Sequence, residues 1–361
     1  MKRLVILLTL VFLSLGGSYS CQTFCPIGMH ITGNGAQSAL VLDQKGYPHV
    51  AYSYSSSSSH GIKYSTWNGQ SWDTQTVVSY SGEAGCLCGM GITLDSNNTP
   101  YIDFINPTDT SSIQIAHLTG STWSITSIHS GITGYESTVS QLFIDTQGTI
   151  IFFYATDQSL ECLVGQGNNW STTTIEQSCG TNIPVVMDRT GEPHLMCWNV
   201  YIYTNGATWF TEAIFNYGMS PGIALDNNDI PYIAYRFTDN VLLAHKVNGS
   251  WETMQVENYS YTGGTGYGHL PLSKVWVLIS STNNSIIIAG NTVAKWNGTT
   301  WTYSNIPNIS GSLQWAAIDG NNDLDLLYVN ESKDNSCSNK FYLTLYYVFW
   351  DGTKWTTSVV N

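Results

Sequence analysis

What this chain has least of is charge. Only 10% of its 361 residues are Asp, Glu, Lys or Arg, and the balance is one-sided, with 12 basic residues against 25 acidic ones. A nucleic acid partner needs clustered Lys and Arg to displace counterions from phosphates, and no such cluster occurs, so that class of partner is excluded. No helical periodicity runs past the first twenty residues, and beyond them no apolar run is long enough to cross a membrane as a helix. Signatures of serine hydrolases, phosphate-binding loops and dinucleotide folds are missing as well. The cysteines, including Cys86 and Cys88, lack the spacing of a zinc ribbon.

The one long apolar run is Leu4 to Leu15, preceded by Lys2 and Arg3 and followed by Gly16, Gly17, Ser18 and Ser20. That order of basic, apolar and small residues predicts a signal peptide over residues 1–20, and hence a secreted, extracellular or cell-surface protein. Cleavage after Ser20 would expose Cys21, the residue lipoproteins acylate, but Ser18 stands where such signals carry leucine. Removing Lys2 and Arg3 leaves 10 basic residues, a mature charge of about −15. In an oxidising compartment the eight cysteines, an even number, predict four disulfides. Cys21 and Cys25 precede the repeats described below and Cys337 sits in the last of them, so a bridge between these ends would latch the two termini. N-x-S/T sequons at Asn248 and Asn297 fall in expected hairpin turns, where a glycan would be carried on an exposed loop.

What the chain does have is repetition. Glycine followed closely by tryptophan recurs seven times, at Trp72, Trp123, Trp170, Trp209, Trp251, Trp301 and Trp355. The mean spacing is about 47 residues, the length of a four-stranded propeller blade. A second ladder runs in phase with it. An apolar stretch ends in Asp43, Asp95, Asp145, Asp188, Asp226, Ser280 and Asp319, with proline five residues later in four repeats and an aromatic nine later in five. Within one repeat, 38–43, 48–54, 61–67 and 72–78 read as strands, the last two joined by the Asn68-Gly69 hairpin turn. The fold expected is all-β: a seven-bladed β-propeller with four antiparallel strands per blade over 38–361, behind a short extension at 21–37. The recurring tryptophan is expected to wedge between blades, and the aspartate to form a turn.

Asp43, Gly46, Pro48, His49, Ala51, Tyr52, Asn68, Gly69 and Trp72 together form a D-x-x-G-x-P-H-x-A-Y … N-G-x-x-W unit, and Asp226 to Trp251 repeats much of it. This resembles the propeller repeats of secreted sialidase-like and BNR-type proteins. Ser65 to Trp72 resembles a degenerate Asp-box in which Trp67 replaces the aspartate. The resemblance implies the fold, while an activity would need a site. Sialidases of this fold clamp a carboxylate with three arginines, and the mature chain holds only Arg189 and Arg236, so that triad cannot form. A glycosidase using two carboxylates is a rival reading, as is a structural subunit of an extracellular assembly.

In up-and-down blades the turns joining strands 1–2 and 3–4 share one face, and the 2–3 loops and blade connections share the other. The first face is uniform and tight; the second carries the irregular segments, where binding is expected. Candidate binding residues there are Trp276 and Trp315 at the mouth of the central channel, Trp198 and Arg236 on adjacent loops, His60 after a serine run, and Tyr261, Tyr267 and His269 in the connection between the fifth and sixth repeats. Trp276 and Trp315 admit a second reading, as a plug for the channel. Asp319, Asn321, Asp323 and Asp325 alternate as calcium ligands would, although Asp319 is also the repeat's turn aspartate. His49 and His194 share a position that Tyr101 and Tyr232 fill elsewhere, which reads as a structural slot. The function expected is non-enzymatic recognition of a glycan or an extracellular protein.

Overall fold

A computed structural model describes residues 30–56, 58–82, 89–106, 112–131, 141–156, 159–177, 179, 183–214, 219–237, 240–260, 274–309, 311–333 and 340–360. They form 28 strands and no helix. The strands make seven four-stranded antiparallel blades arranged as a propeller. Blades 1 to 7 span His30–Ser81, Met90–Ser130, Gln141–Gln177, Val185–Ala213, Met219–Ser260, Trp276–Asn305 and Ser312–Val359. Strand 1 of each blade is innermost, since these strands touch one another from blade to blade.

The aspartate ladder is a set of turns between strands 1 and 2. Asp43 Oδ1 accepts the amides of Lys45 and Tyr47, both at 2.8 Å. The same pair of bonds recurs at Asp95, Asp145, Asp188, Asp226 and Asp319. Ser280 keeps one of them, to the Asn284 amide. The residue three past each anchor is left-handed in all seven turns: Gly46, Asn98, Gly148, Gly191, Asp229, Asn283 and Asn322. Only Gly, Asn and Asp adopt that conformation at low cost, and only those three types occur there.

Blades adhere through seven apolar clusters, one per interface. Each recurring tryptophan packs against the cluster between its own blade and the preceding one, so the wedge expected from the sequence is what the fold uses. Three of these contacts share a further device. Trp123 meets Tyr64, Trp251 meets Tyr201 and Trp72 meets Tyr347, each edge to face at 5.3 Å. The three receiving hydroxyls are hydrogen-bonded to His49, His194 and Asp325, which stand at one shared position, six past the anchor. A buried tyrosine hydroxyl needs a partner. The slot that sequence reasoning called structural therefore orients the ring on which the next blade's tryptophan rests.

Every blade is built from contiguous sequence, so no strand from one terminus completes the blade of the other. The ring closes otherwise. Strand 1 of blade 1 starts at His30, ahead of the expected Ser38, and His30–Gly33 pairs in parallel with Lys340–Leu343 of blade 7. Trp72 completes the joint by donating from Nε1 to Ser358 Oγ at 3.1 Å. Cys21, Cys25 and Cys337, the expected latch, lie outside the described residues.

Disulfide count is where expectation and structure part. Cys179 and Cys197 are bridged, Cys197 replacing the usual buried aromatic of strand 2. Cys162 is a free buried thiol in the same cluster, and burial pushes it up to about 12. Four bridges would require every cysteine, so the expected four cannot all form. Packing explains it: free cysteine behaves as a small apolar side chain.

Candidate central-channel site

All seven innermost strands line one cavity of about 470 Å³. The position four before each anchor sets its width at the mouth facing the 2–3 loops. Blades 2 and 5 place Gly91 and Gly222 there, blades 3 and 4 Gln141 and Pro184, and blades 6 and 7 Trp276 and Trp315. Gly222 is required by a close approach: a Cβ there would lie 2.4 Å from the Val275 carbonyl oxygen of blade 6. Gly222→Ala is expected to lower stability by about 1–3 kcal/mol through forced separation of blades 5 and 6. Thermal unfolding checks this, and an unchanged melting temperature would refute it.

Trp276 and Trp315 touch, with ring centroids 5.2 Å apart and planes tilted by 53°. Both are partly buried. Trp276 packs on the cluster between blades 6 and 7, and Trp315 on the two clusters flanking blade 1. One side of each indole therefore belongs to the core while both contribute to the cavity wall, so the plug and platform readings describe two sides of one pair. Trp276 Nε1 is buried without a hydrogen-bond partner.

A third residue joins them. The Lys274 ammonium lies 4.4 Å from the centre of the Trp276 ring and also lines the cavity. Solvent reaches it through the mouth, yet protein surrounds it, and that desolvation lowers its pKa to about 8. A cation over an indole recovers roughly 0.5–2 kcal/mol, less than full desolvation of an ammonium costs. Sequence reasoning missed Lys274 because it falls outside the repeat. The available signal was its place two residues before Trp276, on the same side of an extending strand.

Of the remaining expected residues, those the structure describes do not converge on this cavity. His60 is a correction. Instead of lying on an exposed loop it belongs to strand 3 of blade 1, is 5% exposed, stacks on Tyr80 and lies 3.2 Å from the Gly82 carbonyl oxygen. The serine run was read as a loop through residue 60, whereas pairing resumes at Ser59. Trp198 forms the turn between strands 2 and 3 of blade 4, 56% exposed and at φ 56°, where a tryptophan is strained. Arg236 pairs within blade 5 and is absent from the channel wall. Tyr261, Tyr267 and His269 lie outside the described residues.

The calcium candidates also separate. Asp319 Oδ1 is occupied by its turn amides, and Asp325 is buried with Oδ1 accepting from Tyr347. Among the described residues no three His, Cys, Asp or Glu side chains are grouped to hold a metal.

No family model matches the chain, and no curated protein matches it. Solved structures do. The chain is similar to YCF48 from Cyanidioschyzon merolae (TM-score 0.53, 12% identity, 83% of this chain and 94% of that one). AofleA from Arthrobotrys oligospora is similar at TM-score 0.50 and 12% identity, over 78% of this chain and 87% of that one. SapL1, a lectin solved in complex with alpha methyl fucoside, aligns at TM-score 0.48 and 12% identity, over 77% of this chain and 98% of that one. At such identities the likeness is one of fold.

Proposed function

We propose that this chain is a secreted, non-enzymatic recognition module that holds a glycan at the loop-side mouth of its central channel. The observation that carries the reading is the contacting pair Trp276 and Trp315, which presents apolar ring surface at the cavity wall beside the Lys274 ammonium. Pyranose rings present C–H faces to aromatic surface and hydroxyls to polar groups, and the cavity falls in the size range of small-ligand sites. Among the described residues none that lines the wall is Asp or Glu.

A glycan array on the folded, disulfide-intact protein tests this, followed by titration of the best ligand against Trp276→Ala and Trp276→Phe. The expected result is at least a ten-fold loss of affinity in Trp276→Ala and partial recovery in Trp276→Phe, which keeps a smaller ring. Absence of any saccharide bound by the wild type would end the reading. So would unchanged affinity in a destabilised Trp276→Ala, which would make the pair a plug alone.

Docking of an extracellular protein on the same face is the second reading. In its favour, Trp198 of blade 4 and Phe237 of blade 5 are both exposed where strand 2 ends, and aromatic side chains are enriched at protein interfaces.

A further inference from the structure

We infer that the ligand of the channel mouth carries a carboxylate, and that it is an acidic sugar of the hexuronic type held by Lys274 beside the ring of Trp276. The inference rests on the glycan reading above and narrows it to a chemical class.

The argument begins with what the cavity wall lacks. Among the described residues Lys274 is its one charged residue, and every other lining side chain is apolar or a neutral polar group such as Thr93 or Gln141. No described residue forms a salt bridge or hydrogen bond with the Lys274 ammonium, whose one contact of that kind is the face of Trp276. The Trp276 N–H is closed to solvent, so the ring face and the ammonium beside it are what a ligand meets there. A lone cation on the wall, with no acceptor among the described residues, matches a group that offers acceptor oxygens and a negative charge.

Charge and shape limit the ligand further. The protein has a formal net charge of −13, so its overall field repels anions, and selectivity must arise within the cavity. A bare anion would also leave the faces of Trp276 and Trp315 against water, whereas a pyranose carrying a carboxylate engages both features. Among the described residues no acidic side chain lines the cavity to neutralise Lys274. Burial holds its pKa near 8, so a bound carboxylate should favour its protonated form, and binding should weaken as the pH rises past that value.

Isothermal titration of the wild type with glucuronate, galacturonate, glucose, galactose and acetate provides the test, at pH 6.5 and 9.5 and at low salt. The expected result is that one hexuronate binds at least ten-fold tighter than its parent hexose and than acetate, and loses most of that advantage at pH 9.5. Lys274→Gln should reduce that hexuronate to the level of the hexose, and a thermal melt of the variant reports whether the fold is retained. Should hexose and hexuronate bind equally, with Lys274→Gln unchanged, the acidic ligand is refuted and the glycan reading stands. Acetate matching the hexuronate would refute recognition of the sugar ring. Failure of every saccharide in this panel and on the array would refute both.

Discussion

Trp72→Ala should destabilise this protein more than the same substitution at any other repeat tryptophan. Truncating a buried indole costs about 3–5 kcal/mol through lost contacts and the cavity left behind. At six interfaces that loss falls between blades still tethered by the chain, which limits how far they separate. At the interface of blades 7 and 1 there is no such covalent connection through the sequence, and no shared blade. The joint consists of the cluster containing Leu40, Tyr52 and Leu345, the four-residue parallel pairing, the edge of Trp72 against Tyr347 and its bond to Ser358. Removing the indole therefore takes away a large share of what holds the ring closed, and the freed blades separate at an entropic gain that tethered neighbours do not have. Denaturant unfolding should place Trp72→Ala about 1–2 kcal/mol below Trp209→Ala, whose tryptophan packs between blades 3 and 4. Gel filtration should show an expanded or self-associated species for Trp72→Ala alone. Equal losses in the two variants, with both eluting as compact monomers, would mean that the terminal joint is no weaker than the others.

The features legible in the sequence were those that the fold states seven times. The tryptophan wedges, the aspartate turns and the tight turns between strands 3 and 4 each serve one blade, so repetition separated them from chance. Features that occur once were harder to read. Lys274 lies outside the repeat and in an irregular stretch, and its meaning comes from covering the ring of Trp276 at the cavity wall, a contact that spacing alone does not reveal. His60 was placed on a loop because serine-rich sequence reads as irregular, yet the strand pairing of its neighbours carries it into the core. Cys162 illustrates a different limit: parity of cysteine count says nothing about which thiol a blade interface has buried. The anchors of the wedges were half legible. His49 and His194 were recognised as a slot, but Asp325, its third occupant, was assigned to a calcium pattern. Its spacing to Asp319 fitted both, and only burial distinguishes them.

That buried Asp325 has a consequence for stability against pH. Its side chain is fully buried, Oδ1 accepts a hydrogen bond from Tyr347, and Oδ2 has no partner. Burial raises its pKa to about 7, with Asp319 and Asp323 adding to the rise and the Tyr347 bond opposing it. A carboxyl raised in the folded state above its unfolded value near 4 binds a proton in the native protein that the unfolded chain has released. Between about pH 4 and about pH 7 this group therefore subtracts stability as the pH rises, and above that window the loss is constant. Its size is on the order of 2–4 kcal/mol. Asp325→Asn keeps an acceptor for Tyr347 and removes the charge, at the cost of an amide N–H with no evident partner. Other carboxylates titrate in the same range, so the useful quantity is the stability difference between variant and wild type at each pH, in which their contributions cancel. Relative to wild type, Asp325→Asn should be equal or less stable at pH 5 and should gain on the order of 2–4 kcal/mol in relative stability by pH 8. The same comparison in a Tyr347→Phe background tests the cause, because the Tyr347 bond lowers the pKa and its loss cannot remove the rise. Burial is the larger cause, so the gain should persist there. A difference between variant and wild type that is the same at pH 5 and pH 8 would show that Asp325 ionises normally, through water reaching Oδ2 from the strand edge.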